Sequence, residues 1–239
     1  MLEGRGIVHH FGGLAAVDDV DFDVAAGAIV GLIGPNGAGK TTLFNIISGA
    51  IAARRGSVRF KGKDITRARP DQISRMGMAR TFQTTKLFTG MTAFDNVRLA
   101  LVYGNPDRRF TYWTARREVN QIMASVGLLA ERDKLAGDLP LGVRRRLEIA
   151  RALATNAEML LLDEVMAGLT ESEVRHSIEL IGRLRADGLT ILMVEHVMHA
   201  IVEVCDRIMV LHNGRKIAEG APEAIMLDPV VRSVYLGDD

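Results

Sequence analysis

The chain has 239 residues, 48% of them hydrophobic and 25% charged, with a formal net charge of +1. That length suits one large α/β unit or a core with a subdomain, and that composition excludes a wholly disordered chain. The near-neutral balance gives no global electrostatic case for an acidic partner, and no nucleic-acid partner is expected.

Met1–His10 carries charge but no apolar run of signal-peptide length. Nowhere do eighteen consecutive apolar residues occur, so any membrane-spanning part must come from other subunits. The single cysteine, Cys205, excludes an intrachain disulfide and suits a reducing compartment; its neighbours Ile201, Val204 and Ile208 predict a buried thiol. Val17–Val24 alternates apolar and acidic residues, the period of a half-buried strand. Ala28–Ile33 is wholly apolar and breaks at Gly34, which predicts a strand buried on both faces that ends in a glycine-rich turn. Thr41–Ser48 follows as a helix, and Arg55–Lys63 as a strand closed by a turn at Gly62.

The character changes from about Thr84 to Thr155, where helix formers and arginines dominate and a Gly-Asn-Pro break falls at Gly104–Pro106. Val119–Val126 and Arg144–Ala154 have helical apolar spacing. The arginines at 108–109, 116–117 and 144–146 read as solvated helix faces. Strand patterns return at Met159–Leu162, Thr190–Val194 and Arg207–Leu211, before a turn at Asn213–Gly214. Strands alternating with helices imply a largely parallel sheet with helices on both faces, interrupted by a helical insertion. The expected division is a core of residues 1–83 and 156–239 with a helical subdomain of residues 84–155.

Gly34-Pro35-Asn36-Gly37-Ala38-Gly39-Lys40-Thr41 fits G-x-x-x-x-G-K-[ST] and lies between a buried strand and a helix, as a phosphate-binding loop must. The glycines let backbone N–H groups approach phosphate oxygens, and the helix N-terminus points its positive end at them. Lys40 supplies a mobile positive charge, and the Thr41 hydroxyl suits Mg²⁺. A second cluster, Met159–Glu164, is an apolar strand ending in two acids. Asp163 is placed to hold Mg²⁺ and Glu164 to polarise the attacking water, although a helix N-cap with an acidic first turn is the competing reading. Glu164 points away from Asp163 unless the chain turns there.

Phe11, Gln83 and His196 are each weak signals alone, but their order carries weight. Aromatic, phosphate loop, glutamine, a Leu-x-x-Gly helix start, Asp-Glu, Gly-Leu and histidine run as in an ABC (ATP-binding cassette) ATPase, and the resemblance spans about Phe11 to Leu236. The stretches Gly77–Gln83, Arg145–Ala152 and Tyr235–Gly237 resemble the ATP-binding subunits of branched-chain amino-acid importers. The resemblance implies an α/β P-loop NTPase fold with a mainly parallel sheet, an N-terminal antiparallel β part and the helical insertion. It implies that Phe11 stacks on the adenine of ATP, that Gly34–Thr42, with Thr42 at its end, binds the phosphates, and that Thr41, Gln83 and Asp163 hold Mg²⁺. Glu164 would act as base, with His196 at the γ-phosphate positioning it, and Leu139 and Gly142 would reach the nucleotide of a second cassette. The implied assembly comprises membrane subunits, a homodimer or a heterodimer with a second ATPase, and a periplasmic or extracellular solute-binding protein. Its implied site is the cytoplasmic face of the inner (cell) membrane, as a peripheral subunit. Competing readings are the ATPase of a lipopolysaccharide-type exporter and a soluble, non-transport ABC ATPase.

The sequence departs from the family pattern in two places. Where Leu-Ser-Gly-Gly-Gln is usual, the chain has Leu139-Pro140-Leu141-Gly142-Val143, which removes a hydroxyl donor and a polar side chain. After Glu164 stands Val165 rather than proline, and Thr170 takes the place of an aspartate expected to contact the second cassette. Leu87, Phe88, Met91 and Phe94 form either a groove for a membrane partner or the insertion's own core.

Overall fold

The computed structural model describes residues 1–81 and 86–236. Strands β1 (Leu2–Phe11), β2 (Leu14–Val24), β4 (Arg55–Phe60) and β5 (Lys63–Asp64) make an antiparallel sheet in the order β2-β1-β4-β5. The second sheet runs β10-β9-β3-β8-β7-β6, from β10 (Arg215–Gly220) through β9 (Arg207–His212), β3 (Ile29–Ile33), β8 (Thr190–Val194) and β7 (Met159–Asp163) to β6 (Met78–Arg80). All its pairings are parallel except β10 with β9.

The apolar strands of the second sheet have no polar face because both faces are covered. Period-two side-chain alternation divides them between two cores. Val30, Leu32, Met159, Leu161, Leu192, Val194, Met209 and Leu211 pack with the antiparallel sheet and helix α1 (Lys40–Ile47). Ile29, Ile33, Leu160, Leu162, Ile191, Met193, Ile208 and Val210 join the cluster that contains three helices lying between β6 and β7 in the chain. Those helices are α3 (Ala93–Gly104), α4 (Tyr112–Ser125) and α5 (Leu141–Ala154). Helix α2 (Pro70–Arg75) precedes β6, and α6 (Glu171–Ala186) precedes β8. Helix α7 (Met198–Val204) precedes β9, and α8 (Pro222–Leu227) and α9 (Pro229–Leu236) follow β10.

Side-chain caps fix the starts of α3 and α4. The Thr92 hydroxyl accepts from the Asp95 N–H at 3.0 Å to open α3, and Thr111 and Thr114 form a reciprocal box at the start of α4. One expectation is corrected in α5. The stretch 144–146 is not a uniformly solvated face, because Arg145 is only 7% exposed and pairs with buried Glu148 at 3.5 Å. Arg144 turns back to donate to the Gly137 and Leu139 carbonyls. Arg116 and Arg117 are exposed on α4 as expected, whereas Arg108 and Arg109 are exposed in the segment between α3 and α4 rather than on a helix. Cys205 is buried, and burial pushes its thiol up to about 12.

Candidate active site

The turn between β3 and α1 needs backbone that only glycine adopts at low cost. Gly39 has φ 103° at the cap of α1, and a Cβ there would strike the Ala16 carbonyl. No acid stands in the first turn of α1, so its partial positive charge is not offset locally. Lys40 is 6% exposed, and its Nζ donates to the carbonyls of Gly34 at 2.6 Å and Pro35 at 2.9 Å. Burial pushes its ammonium below the usual lysine range, while Glu164 and Asp163 act in the opposite direction.

Beside this loop lies a cleft of about 560 Å³. It is lined by Phe11, Leu14–Ala16, Asn36, Gly37, Ala38, Gly39, Lys40, Thr41, Thr42, Glu164 and Asn213. The end of β1 thus presents Phe11, 53% exposed and edge-on to His9, at the same cleft as the loop. The volume lies within the range of small-molecule sites.

Asp163 ends β7 and is 3% exposed. Its Oδ2 accepts from the Arg80 guanidinium at 2.7 Å, and Arg80 also donates to Asn45 Oδ1 and Ser48 Oγ of the α1 segment. The chain does turn after Asp163. Glu164 has φ 51°, which swings its carboxylate to the cleft, while its N–H donates to the Val194 carbonyl at 2.9 Å. The competing N-cap reading fails for this pair, since the next helix, α6, starts at Glu171 with Thr170 as its cap. His196 Nε2 lies 3.1 Å from Glu164 Oε1. Hard oxygen donors suit Mg²⁺, and the Thr41 hydroxyl, which lines the cleft, and the Asp163 carboxylate at the end of β7 would be the groups to hold it. Among the described residues no cluster of three or more His, Cys, Asp or Glu forms a separate metal cage. Gln83 lies outside the described residues.

The segment Leu139–Val143 is folded inward more than its sequence suggests. Leu139 is 2% exposed and its side chain belongs to the core, so what this stretch offers outward is backbone with the exposed Pro140 and Leu141. Gly142 is buried, and a Cβ there would press on the Glu173 carboxylate. Pro140 takes the N-cap position of α5, where its missing N–H costs the helix nothing, and Val143 packs against the core. Thr170 caps α6 in a reciprocal box with Glu173. Leu87 and Phe94 pack against the cluster that joins α3–α5 to the sheet; of the four groove candidates, Phe88 lines a second, larger cleft.

Two residues escape sequence reasoning. Arg80 stands in the Ala79–Gln83 stretch, but nothing in the spacing links it to Asp163. Glu195 precedes His196 and is 2% exposed; burial pushes its carboxyl up to about 7. Its position directly after the apolar strand β8, as Glu164 follows β7, is the signal that could have found it.

The ABC transporter family profile matches residues 17–167. The chain belongs to the ABC transporter family. A second profile, described as branched-chain amino acid ATP-binding cassette transporter, matches residues 215–239. The chain is 38% identical over its whole length to the high-affinity branched-chain amino acid transport ATP-binding protein LivG of Escherichia coli (strain K12), covering 98% of it. It is 37% identical to BraF of Pseudomonas aeruginosa, with 100% and 98% of the two chains covered. It is also 37% identical to the lipopolysaccharide export system ATP-binding protein LptB of Acidithiobacillus ferridurans, with 100% and 97% covered. Among solved structures, a nucleotide-free ATP-binding cassette from an ABC transporter superposes with a TM-score of 0.89 at 31% identity, with 100% and 99% of the chains covered. An ATP-binding cassette in its ADP conformation gives 0.88 at 31% identity and the same coverage. This ABC ATPase is therefore an ATP-binding and ATP-hydrolysing transporter subunit with an α/β P-loop fold. Among the described residues no helix is long and apolar enough to cross a membrane.

Proposed function

We propose that this ABC ATPase powers uptake of branched-chain amino acids or a related small polar solute from the cytoplasmic face of the inner (cell) membrane. The observation that carries the choice of solute class is the match of residues 215–239 to the branched-chain amino acid cassette profile. The core is residues 1–83 and 156–239, and residues 84–155 form the subdomain that meets the membrane subunits.

Phe11 stacks on adenine, and the backbone of Gly34–Thr42 cradles the phosphates. Lys40 gives up its two carbonyl partners for the β- and γ-phosphate oxygens. Thr41, Asp163 and Gln83 would hold Mg²⁺, which would neutralise charge on those phosphates. Glu164 accepts a proton from the attacking water, and the 3.1 Å contact with His196 keeps its carboxylate aimed at the cleft. Leu139 and Gly142 belong to the face presented to a second cassette, either another copy or a related ATPase. With the Leu139 side chain buried, that contact runs through the backbone.

A second cleft of about 690 Å³ supports docking of membrane subunits. It is largely apolar, lies between α2, α3 and α5, and is bordered by Phe88 and Tyr103, which are 47% and 77% exposed. Burial of such aromatic rings in a partner's interface is a common anchor. A periplasmic or extracellular solute-binding protein completes the assembly.

The test is affinity capture of the tagged chain from gently solubilised native membranes, followed by mass spectrometry. Recovery of multi-span permeases together with a solute-binding protein for amino acids supports the reading. Recovery of lipopolysaccharide-export membrane subunits favours the LptB-like alternative, and recovery of ribosomal or DNA-repair proteins alone overturns transport.

A further inference from the structure

The loop that carries Glu164 is gripped by three successive residues at the end of β8. The Val194 carbonyl accepts from the Glu164 N–H at 2.9 Å. The Glu195 Oε1 accepts from the Met166 N–H at 2.8 Å. His196 Nε2 meets Glu164 Oε1 at 3.1 Å. The first bond continues the β7–β8 pairing and the third is the contact expected of His196, whereas the second has no role in the mechanism above.

We propose that Glu195 is a positioning residue for ATP hydrolysis, a buried clasp that holds the segment after Glu164 to the His196 loop and so fixes the aim of the Glu164 carboxylate. Glu164 sits in left-handed backbone, a conformation that costs energy for a residue other than glycine and persists only where its surroundings over-determine it. The Glu195–Met166 bond is the restraint on the far side of that strained residue. Val165 and Met166 are 2% and 1% exposed, so water cannot replace the lost acceptor cheaply.

The choice of a carboxyl is intelligible from reach. Glu195 must extend from the strand end to the Met166 N–H, and one oxygen suffices, since Oε2 has no hydrogen-bond partner. The charged groups acting on it are Glu164 of the facing loop and Arg145 of α5, while the His196 N–H also donates to it. Burial favours its neutral form. An uncharged acceptor of the same length therefore preserves the clasp, and a charged one that is shorter does not.

The inference rests on Glu164 acting as the base. The test is steady-state ATP hydrolysis by the full chain with Glu195→Gln and Glu195→Asp, each checked for folding by circular dichroism. Loss of a buried hydrogen bond at this place predicts that Glu195→Asp lowers kcat by about tenfold or more while the KM for ATP changes less than about twofold. Glu195→Gln recovers the rate to within about threefold of the parent. In a Glu164→Gln background, adding Glu195→Asp lowers the residual rate no further, because the clasp acts through Glu164. Full rate in Glu195→Asp, or a loss in Glu195→Gln as deep as in Glu195→Asp, overturns the clasp. Undiminished hydrolysis in Glu164→Gln alone overturns the base assignment instead, so the two failures are separable.

Discussion

Asp163 and Arg80 face each other at 2.7 Å with side chains 5% and 9% exposed, deep enough that neither charge can fall back on water. Truncating one member of such a pair leaves the other buried and uncompensated, which costs about 3–5 kcal/mol. Arg80→Met is therefore expected to lower stability by that amount, read as a shift in the urea midpoint at unchanged m-value; a loss below about 1 kcal/mol would mean the pair is already relaxed. Glu195 gives a pH dependence of opposite origin. Its carboxyl rises from an ordinary 4.5 to about 7 on folding, so between those values the folded chain keeps a proton that the unfolded chain has released. Its contribution to stability thus falls as pH climbs from 4.5 through 7, by about 3 kcal/mol in all. Glu195→Gln does not titrate, so its stability relative to the parent should grow from pH 5 to pH 8 in denaturation curves. A constant difference would contradict burial of the charge.

At the scale of elements, helix starts carry the adaptations that the motifs leave unexplained. Thr170 stands where the family pattern has aspartate, and it caps α6, with Glu173 accepting from its N–H at 2.9 Å. Losing such a cap costs about 1 kcal/mol. Thr170→Ala should lower Tm by about 2–4 °C in a chain of this size, and Thr170→Asp should restore it, as calorimetry would report. Elements differ in how openly the sequence declares them. Strand β3 and the loop after it are legible because an unbroken apolar run ends at a glycine with a fixed offset to Lys40. Strand β1 is not, because Gly4 and Gly6 interrupt its alternation and His9 and His10 are half-buried rather than core. Gly4 is required by Phe22, whose ring occupies the space a Cβ would take. Asp163 and Glu164 are legible as a strand end, but the left-handed turn at Glu164 depends on bonds to residues 194 to 196, which only the assembled sheet brings near. Arg80, Glu195 and the burial of Arg145 escape for the same reason: each is decided by a partner that sequence spacing does not specify.

At the scale of the molecule, the two clefts are linked through one ion pair rather than through a common lining residue. Arg80 lines the 690 Å³ cleft assigned to the membrane subunits and also holds Asp163, the carboxylate assigned to Mg²⁺. Arg151 and Glu148 line the same cleft and pin the Lys86 backbone to α5, Glu148 accepting from the Lys86 N–H at 3.0 Å. A partner pressing on that cleft would act on Arg80 and through it on Asp163, which is the physical connection a transport motor needs. All of this depends on the cleft between Phe11 and Glu164 hydrolysing ATP through Glu164. The most direct measurement is ATP turnover by Glu164→Gln against the parent, with ATP binding measured on the same samples. Unchanged binding with turnover reduced by about a hundredfold or more is the result expected of a lost general base. Turnover at the parent rate would contradict the assignment of the base and, with it, the mechanism.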